Sequence, residues 1–234
     1  LTMSGGSCTI DSTDHAVHAA GTAVFSGTTL EITSDNKGIS SHGDLEISGG
    51  DITIHSCTEG VESKAEMTIS GGNVRILDAS DDGLNTGGSD SGSYAMTITG
   101  GTLLALSSKG MMEYPESGCL IATNCNAAAG EQISIVDKNG TVLATLQSPK
   151  AVSDVIYGIG DSDSADYTIV TGGTYDGTLN EDGYGEGGSV SGGTEVTANG
   201  GTGSMNGGAP AGGGQGGTPP EMPNLNNSGG NTAS

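Results

Sequence analysis

The chain has no Trp, one Phe among its 234 residues, and six Lys and Arg against 28 Asp and Glu. Each shortage excludes something. With aromatics at 3% and hydrophobic residues at 32%, an ordinary globular core cannot be filled. The apolar groups must be used at regular positions in a stacked architecture, or the chain stays unfolded. A formal net charge of −22 leaves no cationic surface for nucleic acid. It also disfavours a direct grip on anionic lipid or acidic polysaccharide unless a bound cation intervenes, and divalent ions would relieve the self-repulsion. No run approaches the roughly 18 to 20 apolar residues of a membrane span. No signal peptide is visible and the chain opens with Leu1, which reads as a mature or trimmed product. Four cysteines, Cys8, Cys57, Cys119 and Cys125, are too few for a disulfide scaffold.

What is present in abundance is glycine, 44 residues, and it recurs in register. Met3-Ser4-Gly5-Gly6, Phe25-Ser26-Gly27-Thr28, Ile47-Ser48-Gly49-Gly50 and Ile69-Ser70-Gly71-Gly72 follow one another every 22 residues, and Ile98-Thr99-Gly100-Gly101 follows after 29. The polar insertion Gly87–Ser93 supplies most of the extra length. Apolar residues fall into columns at the same interval. The columns are Leu1/Ala23/Leu45/Met67/Met96, Met3/Phe25/Ile47/Ile69/Ile98, Cys8/Leu30/Ile52/Val74/Leu103, Ile10/Ile32/Ile54/Ile76/Ala105 and Val17/Ile39/Val61/Leu84 with Met112. Within each coil they alternate with polar residues, as in Leu45-Glu46-Ile47 and Ile52-Thr53-Ile54, the period of a strand with one buried face.

Each coil therefore reads as strand, Gly-Gly corner, strand and acidic turn. Stacking the coils at about 4.8 Å buries a continuous core. The fold class predicted is all-β, a right-handed parallel β-helix of 22-residue coils over 1–117; the hand follows from the general preference of parallel crossovers. An irregular β-sandwich is the second reading. Cys8, in a core column, is expected to be a small buried hydrophobe.

Past Gly118 the period is lost. Cys119–Ala122, Gln132–Val136, Thr141–Leu146, Asp154–Tyr157 and Tyr167–Val170 read as strands, with Asp137-Lys138-Asn139-Gly140 as a hairpin turn. Residues 118–175 are predicted to be an antiparallel extension that closes the C-terminal end of the coils. Cys119 and Cys125 can pair only if the chain between them bends back. Residues 176–234, with four of the six prolines between Pro210 and Pro223, read as a flexible Gly/Pro-rich tail.

The repeated Ile-Ser-Gly-Gly coils, followed by Ala79-Ser80-Asp81-Asp82-Gly83-Leu84-Asn85, resemble a bacterial family of carbohydrate-binding β-helix proteins, formerly a domain of unknown function and similar to pectate lyases. The resemblance extends over roughly 1–175. It implies a secreted right-handed β-helix that binds calcium and cellulose or acidic sugars, with no established catalytic activity. Only the fourth coil carries the full motif. The equivalent positions elsewhere read Asp14-His15-Ala16-Val17, Asn36-Lys37-Gly38-Ile39 and Thr58-Glu59-Gly60-Val61.

Among the residues themselves, Asp78, Asp81, Asp82 and Asn85 form the best candidate Ca²⁺ site, since hard cations take carboxylate, amide and carbonyl oxygens. Stacking brings Glu59 and Glu62 beside Asp82 and Asn85. A solvated acidic turn is the alternative. The run Asp161–Asp166 reads as a solvated loop. For carbohydrate contact, the candidates are Tyr94, Tyr114 and Arg75, the single arginine, which points outward between Val74 and Ile76. Packing and charge balance are the alternative roles. His15, His18, His42 and His55 share no metal-ligand spacing.

The function expected is a secreted or cell-surface, calcium-dependent polysaccharide-binding module for cellulose or acidic sugar, and not an enzyme. The alternatives are a self-assembling extracellular filament subunit that polymerises through its coil ends and tail, and a polysaccharide lyase. Neither nucleic acid nor membrane insertion is expected.

Overall fold

Every 22 residues the backbone returns to the same place. In the computed structural model, which describes residues 1–87, 94–109, 113–160 and 162–200, Ile32 pairs with Ile54, Ile54 with Ile76 and Ile76 with Ala105 across parallel strands. All four are fully buried. The neighbouring column Phe25/Ile47/Ile69/Ile98 behaves in the same way. The protein is a parallel β-solenoid, and the columns read from the sequence are its core.

The long strands Ala23–Ser34, Leu45–Ser56 and Met67–Ala79 each turn one corner without leaving the main sheet. The corner is where glycine is required. Gly72 has φ +81, and a Cβ there would lie 2.8 Å from the Gly50 carbonyl oxygen of the coil beneath. The pairing slips by one residue at this point, Ser48 facing Gly71 rather than Ser70, and is restored by Asp51 opposite Asn73. A second parallel sheet, Val17–Ala19, Lys37–Ser41, Glu59–Ser63 and Leu84–Thr86, forms the other wall and buries Val17, Ile39, Val61 and Leu84. Met112, expected to continue that column, and most of the 87–93 insertion lie outside the described residues.

Cys8 departs from expectation: it is exposed. Its strand, Ser7–Ser12, pairs with Ala23–Ser34 on one side, so its column is covered from one direction. Cys57, by contrast, is buried and donates to the Asp78 carbonyl, and burial pushes its thiol up to about 12.

Beyond the coils the direction of pairing reverses. Asp154–Gly158 pairs antiparallel with the last coil strand, Thr102–Ser107, and Cys119–Ala122 pairs antiparallel with Asp154–Gly158. The sheet edge is thereby continued instead of left open. A separate five-stranded antiparallel sheet contains the hairpin of Gln132–Asp137 and Val142–Gln147, turning at Asn139-Gly140, with Tyr167–Thr171 alongside. This sheet packs on the outer face of the solenoid. Its Ile133, Ile135, Ala144, Leu146 and Ile169 share a second core with outward Leu77, Leu104 and Leu106 of the coils.

The flexible tail expected from 176 does not hold up to residue 200. Tyr184–Gly185 adds to one edge of the five-stranded sheet and Thr194–Val196 to the other, while Asn199–Gly200 pairs with Cys119–Ala122. Backbone pairing and turns order this stretch with almost no apolar side chains, which composition does not reveal. Gly201–Ser234, with the proline-rich part, lies outside the described residues. No helix among the described residues is long and apolar enough to cross a membrane.

Candidate functional site

Strand alternation sends every second residue of a coil outward. On the main sheet, one outward column is Thr9/Glu31/Thr53/Arg75/Leu104, and beside it runs Ser7/Thr29/Asp51/Asn73/Thr102. Toward the last coil the first column ends in apolar Leu104, buried under the antiparallel sheet, while the second stays polar to Thr102. Toward the first coil they stay polar. At the boundary the chain segment 178–186 returns over the sheet and leaves a groove of about 520 Å³. Its floor is Glu31, Asp51, Thr53, Arg75 and Leu77, and its far wall includes Asn180, Asp182, Tyr184 and Glu186.

That wall is built locally. The Asn180 side-chain oxygen accepts from the backbone N–H of Asp182 at 3.0 Å and of Tyr184 at 2.9 Å. Gly183, at φ +76, completes the turn. Tyr184 then pairs with Leu146. Asn-Glu-Asp-Gly-Tyr is a legible turn-then-strand signal, and it was the clue available in the sequence.

Arg75 is the centre of the groove. Its guanidinium donates to Asp51 at 2.5 Å, lies 3.7 Å from Glu186, and sits 5.2 Å from the ring centre of Tyr184. Burial works against its charge, but the hydrogen bonds to Tyr184 and Asp51 outweigh it and raise its pKa. Burial pushes the Tyr184 hydroxyl above its ordinary range, and the hydrogen bond it donates to Glu186 adds to that. The Arg75 Nε–H is buried without a hydrogen-bond partner, and an unmet buried donor is costly unless an incoming oxygen satisfies it. Of the residues singled out for carbohydrate contact, Arg75 is the one in this groove. Tyr94 is exposed, and its carbonyl accepts from Thr86. Tyr114 packs against the solenoid core and donates to buried Asp154 at 2.5 Å.

The acidic turn lies on the other wall of the solenoid. Here lysines divide the carboxylates among themselves. Lys150 takes Asp78 at 2.8 Å, Lys109 lies 3.3 Å from Asp81, and Lys37 takes both Glu59 at 2.8 Å and Glu62 at 2.5 Å. Glu62 is almost fully buried and also accepts from Lys64 and Ser40. Burial alone would push its carboxyl up; those three partners outweigh it and lower it. Asp82 accepts from Asn85 at 3.4 Å and, among the described residues, has no lysine within ion-pair distance. Burial, with Asp81, Glu59 and Glu113 nearby, pushes its carboxyl up to about 7. One oxygen each of Asp78, Asp81 and Asp82 is buried without a hydrogen-bond partner. Among the described residues no group of three or more His, Cys, Asp or Glu is arranged to hold a metal ion. His15, His18 and His42 nevertheless touch edge to face, with ring centres 5.4 and 5.0 Å apart, which coil stacking explains and sequence spacing hides. The second acidic run is partly described: Asp163 caps a short 3-10 turn and Asp166 pairs with Lys138, while Asp161 lies outside.

Residues 24–211 match the family model described as carbohydrate-binding domain-containing protein. No curated protein and no solved structure matches the chain, and the family match carries no likeness to pectate lyases.

Proposed function

The chain belongs to the carbohydrate-binding family that its residues 24–211 match, and on that footing we propose that it is a non-catalytic module that holds a neutral polysaccharide, cellulose being the first to test, in the groove around Arg75. The observation that carries this reading is the lining of the groove. Glu31, Asp51, Asp182 and Glu186 are acceptors for sugar hydroxyls, Thr53 and Asn180 serve as either donor or acceptor, and Arg75 is a donor with an unmet N–H. A volume of about 520 Å³ is within the range of small-molecule sites. A surplus of carboxylates over cations in the lining favours a neutral chain over a uronate. A polymeric substrate of this kind lies outside cells, which supports a secreted or cell-surface location.

Calcium enters this reading as a stabiliser of the acidic turn, not as a bridge to sugar. The support is the pair Asp81 and Asp82, each with an unmet buried oxygen, and the raised carboxyl of Asp82. Glu59, Glu62 and Asp78 are held more closely by lysines, at 2.8, 2.5 and 2.8 Å, than Asp81 is by Lys109 at 3.3 Å. An ion there would offset the crowding of like charges.

The test is retention on insoluble cellulose and on polygalacturonate, each with and without calcium, for the wild type and Arg75→Ala. Retention on cellulose that Arg75→Ala removes supports the reading. Retention on neither polymer, or retention that Arg75→Ala leaves unchanged, overturns it.

A further inference from the structure

His55 sits where the groove wall meets the solenoid, and both of its ring nitrogens face carboxylates. Nε2 lies 2.7 Å from Glu31 on the preceding coil, and Nδ1 lies 2.8 Å from Asp182 on the 178–186 wall. A neutral imidazole has one N–H and one lone pair, whereas the imidazolium has two N–H groups. Two ionised carboxylates accept and cannot donate. Both contacts are therefore hydrogen bonds only when the ring is doubly protonated.

The wall depends on this contact because of how it is attached. On one side it is part of the antiparallel sheet: Tyr184 pairs with Leu146 and Gly185 with Thr145, and Gln147 donates to the Gly183 carbonyl at 3.0 Å. On the other side side chains reach across the groove to the coils: Asp182 to His55, Glu186 to Arg75 at 3.7 Å, and Tyr184 over Arg75. We propose that His55 is a positioning residue, a proton-dependent latch that holds the 178–186 wall over the groove when the imidazole is charged and loosens it when the ring is neutral. The charged groups around the latch are Glu31 and Asp182 in direct contact, and Asp51, Arg75 and Glu186 along the groove. When the ring loses its proton it serves one carboxylate and turns a lone pair toward the other. Glu31 and Asp182 then oppose each other across the groove without a cation between them, and the wall swings on its sheet attachment. The consequence for sugar affinity rests on the groove being the glycan site; the latch itself does not.

The experiment follows the full chain at about pH 5.5 and about pH 8 by two readouts. The first is backbone hydrogen exchange of 178–186, corrected for the intrinsic pH dependence, and the second is affinity for cellohexaose. In the wild type, protection and affinity both fall by about tenfold toward the higher pH, the loss of one charge-assisted hydrogen bond. His55→Lys, with a cation at both pH values, keeps both quantities high. His55→Gln is low at both. Asp182→Asn is flat with pH, because an amide can donate to a neutral ring. Wild-type protection that is unchanged with pH, or a pH response that His55→Gln and Asp182→Asn retain, overturns the latch. Protection that follows the expected pattern while cellohexaose binds at neither pH supports the latch and removes the groove as the sugar site.

Discussion

The guanidinium carbon of Arg75 lies 5.2 Å from the ring centre of Tyr184, and the two side chains join the fourth coil of the solenoid to a strand that arrives more than a hundred residues later. Arg75 is the single arginine of the chain, and this contact gives it a planar partner that a lysine could not match. Tyr184→Ala and Arg75→Lys are each expected to weaken cellohexaose binding by about tenfold, from a stacking and fork geometry worth roughly 1–2 kcal/mol. Isothermal titration at fixed pH measures it. An unchanged dissociation constant in both variants would remove Arg75 from the site.

Glycine on the inner wall is a second point of leverage. A Cβ at Gly60 would lie 2.3 Å from the Gly83 carbonyl oxygen and 2.7 Å from Ile76 Cγ2. Gly21 has open space around it. Gly60→Ala should therefore lower stability by about 1–3 kcal/mol, the usual cost of overpacking, whereas Gly21→Ala stays within about 0.5 kcal/mol. Urea unfolding of the two variants beside the wild type decides this. Equal midpoints would show that the coils are not stacked as closely as described.

Glu62 links stability to acid. Its carboxyl is lowered, burial being outweighed by Lys37, Lys64 and Ser40. A lowered carboxylate adds stability above its unfolded value, about 4.3, and loses it as the pH falls through the folded one. Glu62→Ala leaves Lys37 with a poorer partner and should cost about 3 kcal/mol at neutral pH. The deficit should shrink below about pH 4, as thermal melts across pH would report.

Asp82 has the opposite sign. With its carboxyl pushed up to about 7, the protonated form stabilises the fold fully below the unfolded value, and that contribution is lost as the pH rises through about 7. Asp82→Asn should raise the melting temperature at pH 8 and leave it unchanged at pH 4. A variant no more stable than the wild type at pH 8 would mean that Asp82 is not crowded.

The same crowding sets the response to calcium. Millimolar Ca²⁺ should raise the wild-type melting temperature at pH 8 by several degrees, and Asp81→Asn/Asp82→Asn should abolish the shift. Magnesium, smaller and slower to shed water, should do less. A shift that persists in the double variant would place the ion elsewhere.

The solenoid was legible because its physics is one-dimensional. Side chains a fixed number of residues apart lie above one another, so Ile32, Ile54 and Ile76 declare their shared column by spacing alone. The strands Cys119–Ala122, Gln132–Asp137 and Asp154–Gly158 were equally visible, each being a short alternating or apolar run. Cys8 was misread because a column says which way a residue faces and not whether anything covers it.

The groove was hidden for a different reason. Arg75 could be picked out as an outward cation, but Tyr184, Asp182 and Glu186 lie in a stretch whose composition resembles a linker, and their order comes from hydrogen bonds made by the backbone. The lysine partners of the acidic turn were hidden in the same way: Lys109 and Lys150 reach Asp81 and Asp78 from outside the repeat.

The 22-residue spacing by itself determined the coil, its core columns and the acidic face, because a periodic pattern of buried and exposed residues permits one stacked solution. The tertiary structure alone decided that an antiparallel sheet lies on the outer face of the coils, that a polar segment closes over Arg75, and that His55 comes to rest between Glu31 and Asp182. Those contacts join residues with no common period, and only the folded chain brings them within reach.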